Sequence, residues 1–338
     1  MTQIMILIVL TLLFSTETFP QLPVHTDSLY IFIKSNSIHR TSVDWQKTDS
    51  AFQNCVKSAT SPDDTMNCFV RVLEALNDVH SQIWLNNKVY GNYPRFDDTS
   101  LAILTPLTKK SEQMTNVISC YELPDSIPLI RVPSFILSDF SQVGHFAKAL
   151  YDSIIYYGSK KVRGFIIDLR LNGGGNLYPM LSGLSPLFGN CIVGYETDPF
   201  GQIIRKWEIK DGNFIIGGYK TTDLPPADMS FLEKIPVAVI TGPVTISSGS
   251  LTAVAFKGRE NTVFIGEPTA DGYTTSNGFF QFTPSLFLNF ATTYVADRNL
   301  TIYKSAVDPD IFIYTGDDFE NLSHDFKIRK AAEWILSR

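Results

Sequence analysis

The chain has 338 residues, 44% of them apolar and 18% charged, with 28 Lys and Arg against 34 Asp and Glu for a formal charge of −6. Apolar residues run through the whole length without low-complexity tracts, which excludes a disordered chain. The negative balance, uninterrupted by any basic run, argues against nucleic-acid binding. So much chain points to two packed units or one large domain with an appendage.

Met5 to Phe14 is apolar except for Thr11. This is too short for a helix across a ~30 Å hydrocarbon core and about the length of a signal-peptide h-region. Residues 1–20 therefore read as a signal peptide, although no Lys or Arg precedes the stretch and Ser15-Thr16-Glu17-Thr18 is not a clean cleavage site. The expected location is secreted or periplasmic, with no membrane span. An oxidising compartment permits disulfides. Cys55 and Cys68 fall in successive helical segments that a hairpin brings together, but the four cysteines allow three connectivities, with free thiols as the alternative.

From Ser28 to Asn77 the pattern is helical, with Asp44 and Asp63 as N-caps and Phe69, Val70, Val72, Leu73 and Leu76 at helical spacing. Short strand-like runs follow at Leu101–Leu104, Val117–Tyr121 and Ile127–Val132. Phe146–Tyr157 reads as a helix, and Val162–Leu169 as a strand buried on both faces. Val237–Ile240, Ser250–Phe256 and Val263–Ile265 repeat the order strand, helix, strand, which argues for βαβ crossovers. Phe279–Val295 looks like a late meander, and His324–Leu336 closes the chain as an amphipathic helix. The division expected is a helical subdomain over 21–79 and a mixed catalytic body over 80–338, in the α/β (α+β) class.

Three separated segments carry the chemistry. Asp168-Leu169-Arg170-Leu171-Asn172-Gly173-Gly174-Gly175 follows the buried strand; its glycines permit positive φ, and its amides form an anion or oxyanion cradle. Thr245-Ile246-Ser247-Ser248-Gly249-Ser250 lies between a strand and a helix, a junction that lifts a serine hydroxyl above a sheet edge. Asp78-Val79-His80-Ser81 supplies a histidine at the boundary between the two halves, the residue type best suited to take a serine proton. The other histidines, His25, His39, His145 and His324, lack metal-ligand spacing.

In this order the segments resemble the S41 peptidases, the tail-specific or C-terminal processing proteases with a ClpP/crotonase-like core. Gly266-Glu267-Pro268-Thr269 and Val307-Asp308-Pro309-Asp310 match two further family elements, and Asp78-x-His80-Ser81 is similar to the string of the histidine-using, tricorn-like branch. The resemblance implies a serine endopeptidase acting on peptides or proteins, with no metal or organic cofactor. Ser247 is the nucleophile, Ser248 its register-shifted alternative, and His80 the base. The amides of Ser248 and Gly174, with Gly175 second, form the oxyanion hole; Asp308, with Asp310 second, orients the histidine. Activity is expected to rise as histidine deprotonates around pH ~6–7.

The departures matter too. No lysine stands between Lys257 and Lys304, where many members place a lysine base, and Ser250 replaces a glutamate common three residues after the nucleophile. The interval from Trp84 to Ile127 is too short for a PDZ domain. The alternative is a catalytically degenerate member that binds peptides or hydrophobic ligands in the same cleft.

Overall fold

The computed structural model describes residues 26–137, 139–226 and 228–338; the segment read as a signal peptide, 1–20, lies outside them. Three helices open the described chain: α1 (Thr26–Asn36), α2 (Trp45–Ser58) and α3 (Pro62–Ala75). Asp44 caps α2, its carboxylate accepting from the Lys47 amide at 3.1 Å. The start of α3 differs from the expectation. Ser61 is its cap and Pro62 takes the first helical position, where a missing N–H costs nothing; Asp63 instead pairs with Lys88 and Tyr90. A disulfide joins Cys55 to Cys68, while Cys120 and Cys191 are free thiols.

The hairpin β1 (Gln82–Leu85) and β2 (Lys88–Gly91) leads to α4 (Asp98–Gln113), β3 (Ser119–Leu123), β4 (Ile127–Arg131), α5 (Val143–Gly158), β5 (Phe165–Asp168) and α6 (Leu177–Gly183). Leu101–Leu104, expected as a strand, lies inside α4. Asp97 caps that helix through the Ser100 amide at 2.7 Å, and Leu101, Leu104, Thr108 and Ser111 recur at helical spacing on its less exposed side. An apolar run of four residues cannot separate the two periods. The interval too short for a PDZ domain thus holds β2, α4 and β3.

Four antiparallel strands follow: β6 (Cys191–Thr197), β7 (Ile203–Lys210), β8 (Asn213–Ile216) and β9 (Tyr219–Lys220). Then come β10 (Val237–Thr241), α7 (Ser248–Phe256) and β11 (Thr262–Gly266). The expected meander is a long hairpin, β12 (Thr275–Thr283) and β13 (Leu286–Ala296), turning at Pro284-Ser285. The chain ends with β14 (Ile302–Tyr303), β15 (Ile311–Phe312) and α8 (Phe326–Leu336).

Two sheets result. The first is six-stranded in the order β15-β11-β10-β5-β4-β3, parallel except at the β3 edge. Every residue of β4, β5 and β10 is buried, as expected of strands covered on both faces. Alternation decides which side chain goes where. Ile130, Phe165, Ile167, Val237 and Val239 join the core containing Leu150, Leu181 and Val254 of α5, α6 and α7, whereas Leu129, Ile166, Ala238 and Ile240 pack on Ile328, Ala331 and Ile335 of α8. The second sheet is nine-stranded and runs β2-β1-β13-β6-β7-β8-β9, with β12 and β14 also paired to β13. The front helices bury Leu29, Ile33, Phe69 and Leu73 against Ile83, Leu286, Leu288 and Phe290 of this sheet. No helix among the described residues is long and apolar enough to cross a membrane.

Candidate active site

The parallel strands β5 and β10 pair in register and end side by side, so the turns that follow them meet at one sheet edge. Open parallel sheets place their sites outside these carboxyl ends. After β10 the turn is held from several directions: Thr245 Oγ1 donates to the Leu169 carbonyl and accepts from the Gly242 amide, while the Ile246 amide donates to the Asn172 carbonyl. Ser247 stands at its tip with φ +55° and ψ −122°, immediately before α7. A non-glycine residue in that region costs about 1–3 kcal/mol and persists only where its surroundings over-determine it.

The two adjacent serines point to different partners. The Ser247 Oγ lies 2.9 Å from His80 Nε2 and is half-buried, whereas Ser248 turns away and donates to the Gly175 carbonyl at 2.6 Å. The Ser248 amide is the first of α7, a position with no intrahelical acceptor. Ser250 donates to the Thr245 carbonyl at 3.0 Å and serves as a prop of the same turn.

His80 is delivered by a local device. The buried Asp78 carboxylate accepts from the amides of His80 and Ser81 at 3.0 and 2.9 Å and from the Ser81 hydroxyl at 2.6 Å, which fixes the residue between α3 and β1. The Tyr273 ring packs edge-on against the imidazole, 5.3 Å between centroids. Burial, with a smaller contribution from His39, pushes the His80 pKa down to about 3.

The orienting acid is not where it was expected. Asp308 is exposed, its main-chain carbonyl accepting from Lys257 and its carboxylate acting on the same ammonium, and Asp310 accepts from the Phe264 amide to pin β11. The partner at His80 Nδ1 is Thr275 Oγ1, 2.7 Å away, and the Thr275 hydroxyl donates to Asn277 Oδ1 at 3.0 Å. Nothing in the local sequence around β12 flags these two residues, because hydroxyl and amide side chains are common strand-edge residues.

The glycine turn also differs in detail. Gly174 has φ +102°, and a Cβ there would stand 2.7 Å from the Ser247 Cβ, so the close approach requires glycine. Its amide, expected to face the oxyanion, donates to Asn172 Oδ1 at 3.0 Å. The cause is Asn172 itself: its Nδ2 donates to the Pro133 carbonyl at 3.0 Å, which turns Oδ1 back onto the loop.

Asp168 and Arg170 are structural. Both are buried and form a two-point pair, and Arg170 also reaches Asp325 at 2.7 Å and Asp317, while Arg131 bonds Asp168 at 3.1 Å. Lys327 extends the network to Asp317 and Glu267, tying the Gly266-Glu267 element to α8. Burial would raise the Asp168 pKa, but the charges of Arg170 and Arg131 hold it well below the usual carboxylate range. Among the described residues no group of three His, Cys, Asp or Glu is placed to hold a metal ion.

The model of peptidase family S41 matches residues 126–313. The nisin-resistance protein of Lactococcus lactis subsp. lactis is 33% identical over 191 residues, 56% of this chain and 57% of that protein, so the match spans little more than half its length. Among solved structures, a lipoprotein from Streptococcus agalactiae superposes with a TM-score of 0.66 at 22% identity, covering 93% of this chain and 95% of that one. The photosystem II D1 C-terminal processing protease does so at 0.52 and 11%, over 86% and 92%. These last two are likenesses of fold.

Proposed function

The chain belongs to peptidase family S41, and from that premise we propose that it is a serine endopeptidase working through an acyl-enzyme, with Ser247 as nucleophile and His80 as general base. The observation that carries this reading is the 2.9 Å approach of Ser247 Oγ to His80 Nε2 between segments 167 residues apart. Ser247 Oγ attacks the peptide carbonyl carbon as its proton passes to Nε2. The Ser248 amide, at the start of α7, is the donor for the resulting oxyanion. Nε2 then returns the proton to the leaving amine, the C–N bond breaks, and water resolves the ester by the same steps in reverse roles. The substrate class is peptide or protein. The Cys55–Cys68 bond and the apolar Met5–Phe14 stretch both support action outside the cytosol.

Two results test the geometry. Gly174→Ala is expected to lower kcat/KM by about 10²-fold or more, because the added methyl must displace Ser247 and the backbone must leave φ +102°; steady-state kinetics on an unstructured polypeptide such as casein checks it, and an unaffected rate contradicts the tight approach.

The second is the pH dependence. With the His80 pKa at about 3, the acid limb moves below the pH ~6–7 expected of an exposed histidine. We expect kcat/KM to stay flat on the acid side down to about pH 5, with the base neutral throughout. Stability behaves oppositely. Between the unfolded pKa near 6.5 and the folded value of about 3, the unfolded chain binds the extra proton, so this group's contribution is full above pH ~6.5 and declines as pH falls, by up to about 1.4 kcal/mol per unit. A kinetic inflection at pH 6–7 in a folded sample would contradict this environment for His80.

A further inference from the structure

We propose that Asn277, acting through Thr275, is a positioning residue that fixes the tautomer of His80, an uncharged pair standing where an orienting carboxylate would otherwise be needed. The inference rests on the reading of His80 as general base, and it follows from placing every hydrogen in turn. Asn277 Nδ2 donates to the His80 carbonyl at 3.3 Å, which identifies the opposite atom of that amide as its oxygen. That oxygen receives the Thr275 hydroxyl hydrogen at 3.0 Å. With its only hydrogen spent, Thr275 Oγ1 can only accept at its 2.7 Å contact with the ring, so Nδ1 carries the proton. Nε2 is then left with a lone pair, 2.9 Å from Ser247 Oγ. The bonds run Ser247, His80, Thr275, Asn277 and back to the main chain of His80, closing on the residue they orient.

The fold supplies this arrangement from one strand. Thr275 and Asn277 are two apart on β12 and so share a face. Their partners on β13, Tyr294 and Ala291, pack with Ile38 of the segment after α1. A register shift between Ser276 and Asn277 skips Thr292, so the extra residue of this bulge lies on β13. The pair is thus assembled by long-range strand pairing and held at both ends. Among the described residues no carboxylate takes part, because the nearby Asp78 spends its oxygens on the main chain and hydroxyl of the turn.

The experiment uses the full protein with histidine labelled with ¹⁵N, comparing the wild type with Thr275→Val and Thr275→Ser. The His80 resonance, assigned through His80→Gln, is expected to show the Nδ1–H tautomer in the wild type and in Thr275→Ser. In Thr275→Val it should change to the Nε2–H form or a mixture, with kcat/KM falling about 10²-fold, while Thr275→Ser restores the rate to within a few-fold. Asn277→Leu should shift the tautomer in the same direction by freeing the Thr275 hydrogen to donate. An Nε2–H tautomer in the wild type, or an unchanged tautomer and rate in Thr275→Val, overturns the proposal. Because the tautomer is read without any substrate, a wild type that holds Nδ1–H but cleaves no peptide would defeat the enzymatic reading and leave the positioning assignment standing.

Discussion

Replacing Ser247 by Ala is expected to lower kcat/KM on a peptide substrate by about 10⁴-fold or more and to leave folding stability near that of the wild type. The first half follows from the site having a single hydroxyl opposite His80 Nε2, at 2.9 Å. The neighbouring Ser248 hydroxyl is committed to the Gly175 carbonyl at 2.6 Å and cannot take over without breaking the turn. The second half follows from what the substitution spares. Alanine inherits φ +55° and ψ −122° with the same backbone cost as serine, and what is lost is the one hydrogen bond to His80 Nε2, worth about 1 kcal/mol. Kinetics and thermal unfolding measured together separate the two effects. Activity retained in the variant would mean that another group is the nucleophile.

Arg170→Ala should destabilise the fold by about 3–5 kcal/mol, because removing one member of a buried ion network leaves the others charged and unpaired. Asp168 would keep Arg131, at 3.1 Å, as its cationic partner, together with the bond its Oδ1 accepts from the main-chain amide of residue 170. Asp325, fully buried, would lose its sole cationic partner among the described residues while still accepting from the amides of Asp318 and Ile328. Since this network bolts α8 across β5 and the Gly266-Glu267 element, the loss is global. Urea unfolding monitored by far-UV circular dichroism should show a lower midpoint, with the deficit larger at neutral than at acid pH. The sign follows from Asp168, whose folded pKa is depressed by Arg170 and Arg131: its contribution is present above the ordinary carboxylate pKa and lost as pH falls through the folded value. A deficit under 1 kcal/mol would show that water or a neighbouring charge replaces the guanidinium.

What could be read from residue order was whatever local chemistry determines. The apolar run ending at Asp168 reads as a doubly covered strand, and strand, turn and helix around Ser247 read as a nucleophile junction, because alternation and glycine placement are local properties. His80 stood out because few histidines exist and only one sits in a matching string. The failures share a cause. Thr275 meets His80 across 195 residues through the pairing of β12 with β13, whereas the expectation of Asp308 rests on acids being the usual partners of a histidine. The Gly174 amide is diverted by the Asn172 side chain, whose orientation depends on the Pro133 carbonyl. Asp168 and Arg170 were legible as a motif, but their work in tying down α8 is visible only once residues 317–327 are in place.

The most direct test of the central claim is peptide mapping after treatment with a serine-directed fluorophosphonate. The account predicts a single adduct on Ser247 in the wild type, none in Ser247→Ala, and strongly slowed labelling in His80→Ala. An adduct on Ser248, or a folded wild type that takes no label, would contradict it; the second result would leave a peptide-binding protein in which the same cleft no longer cleaves.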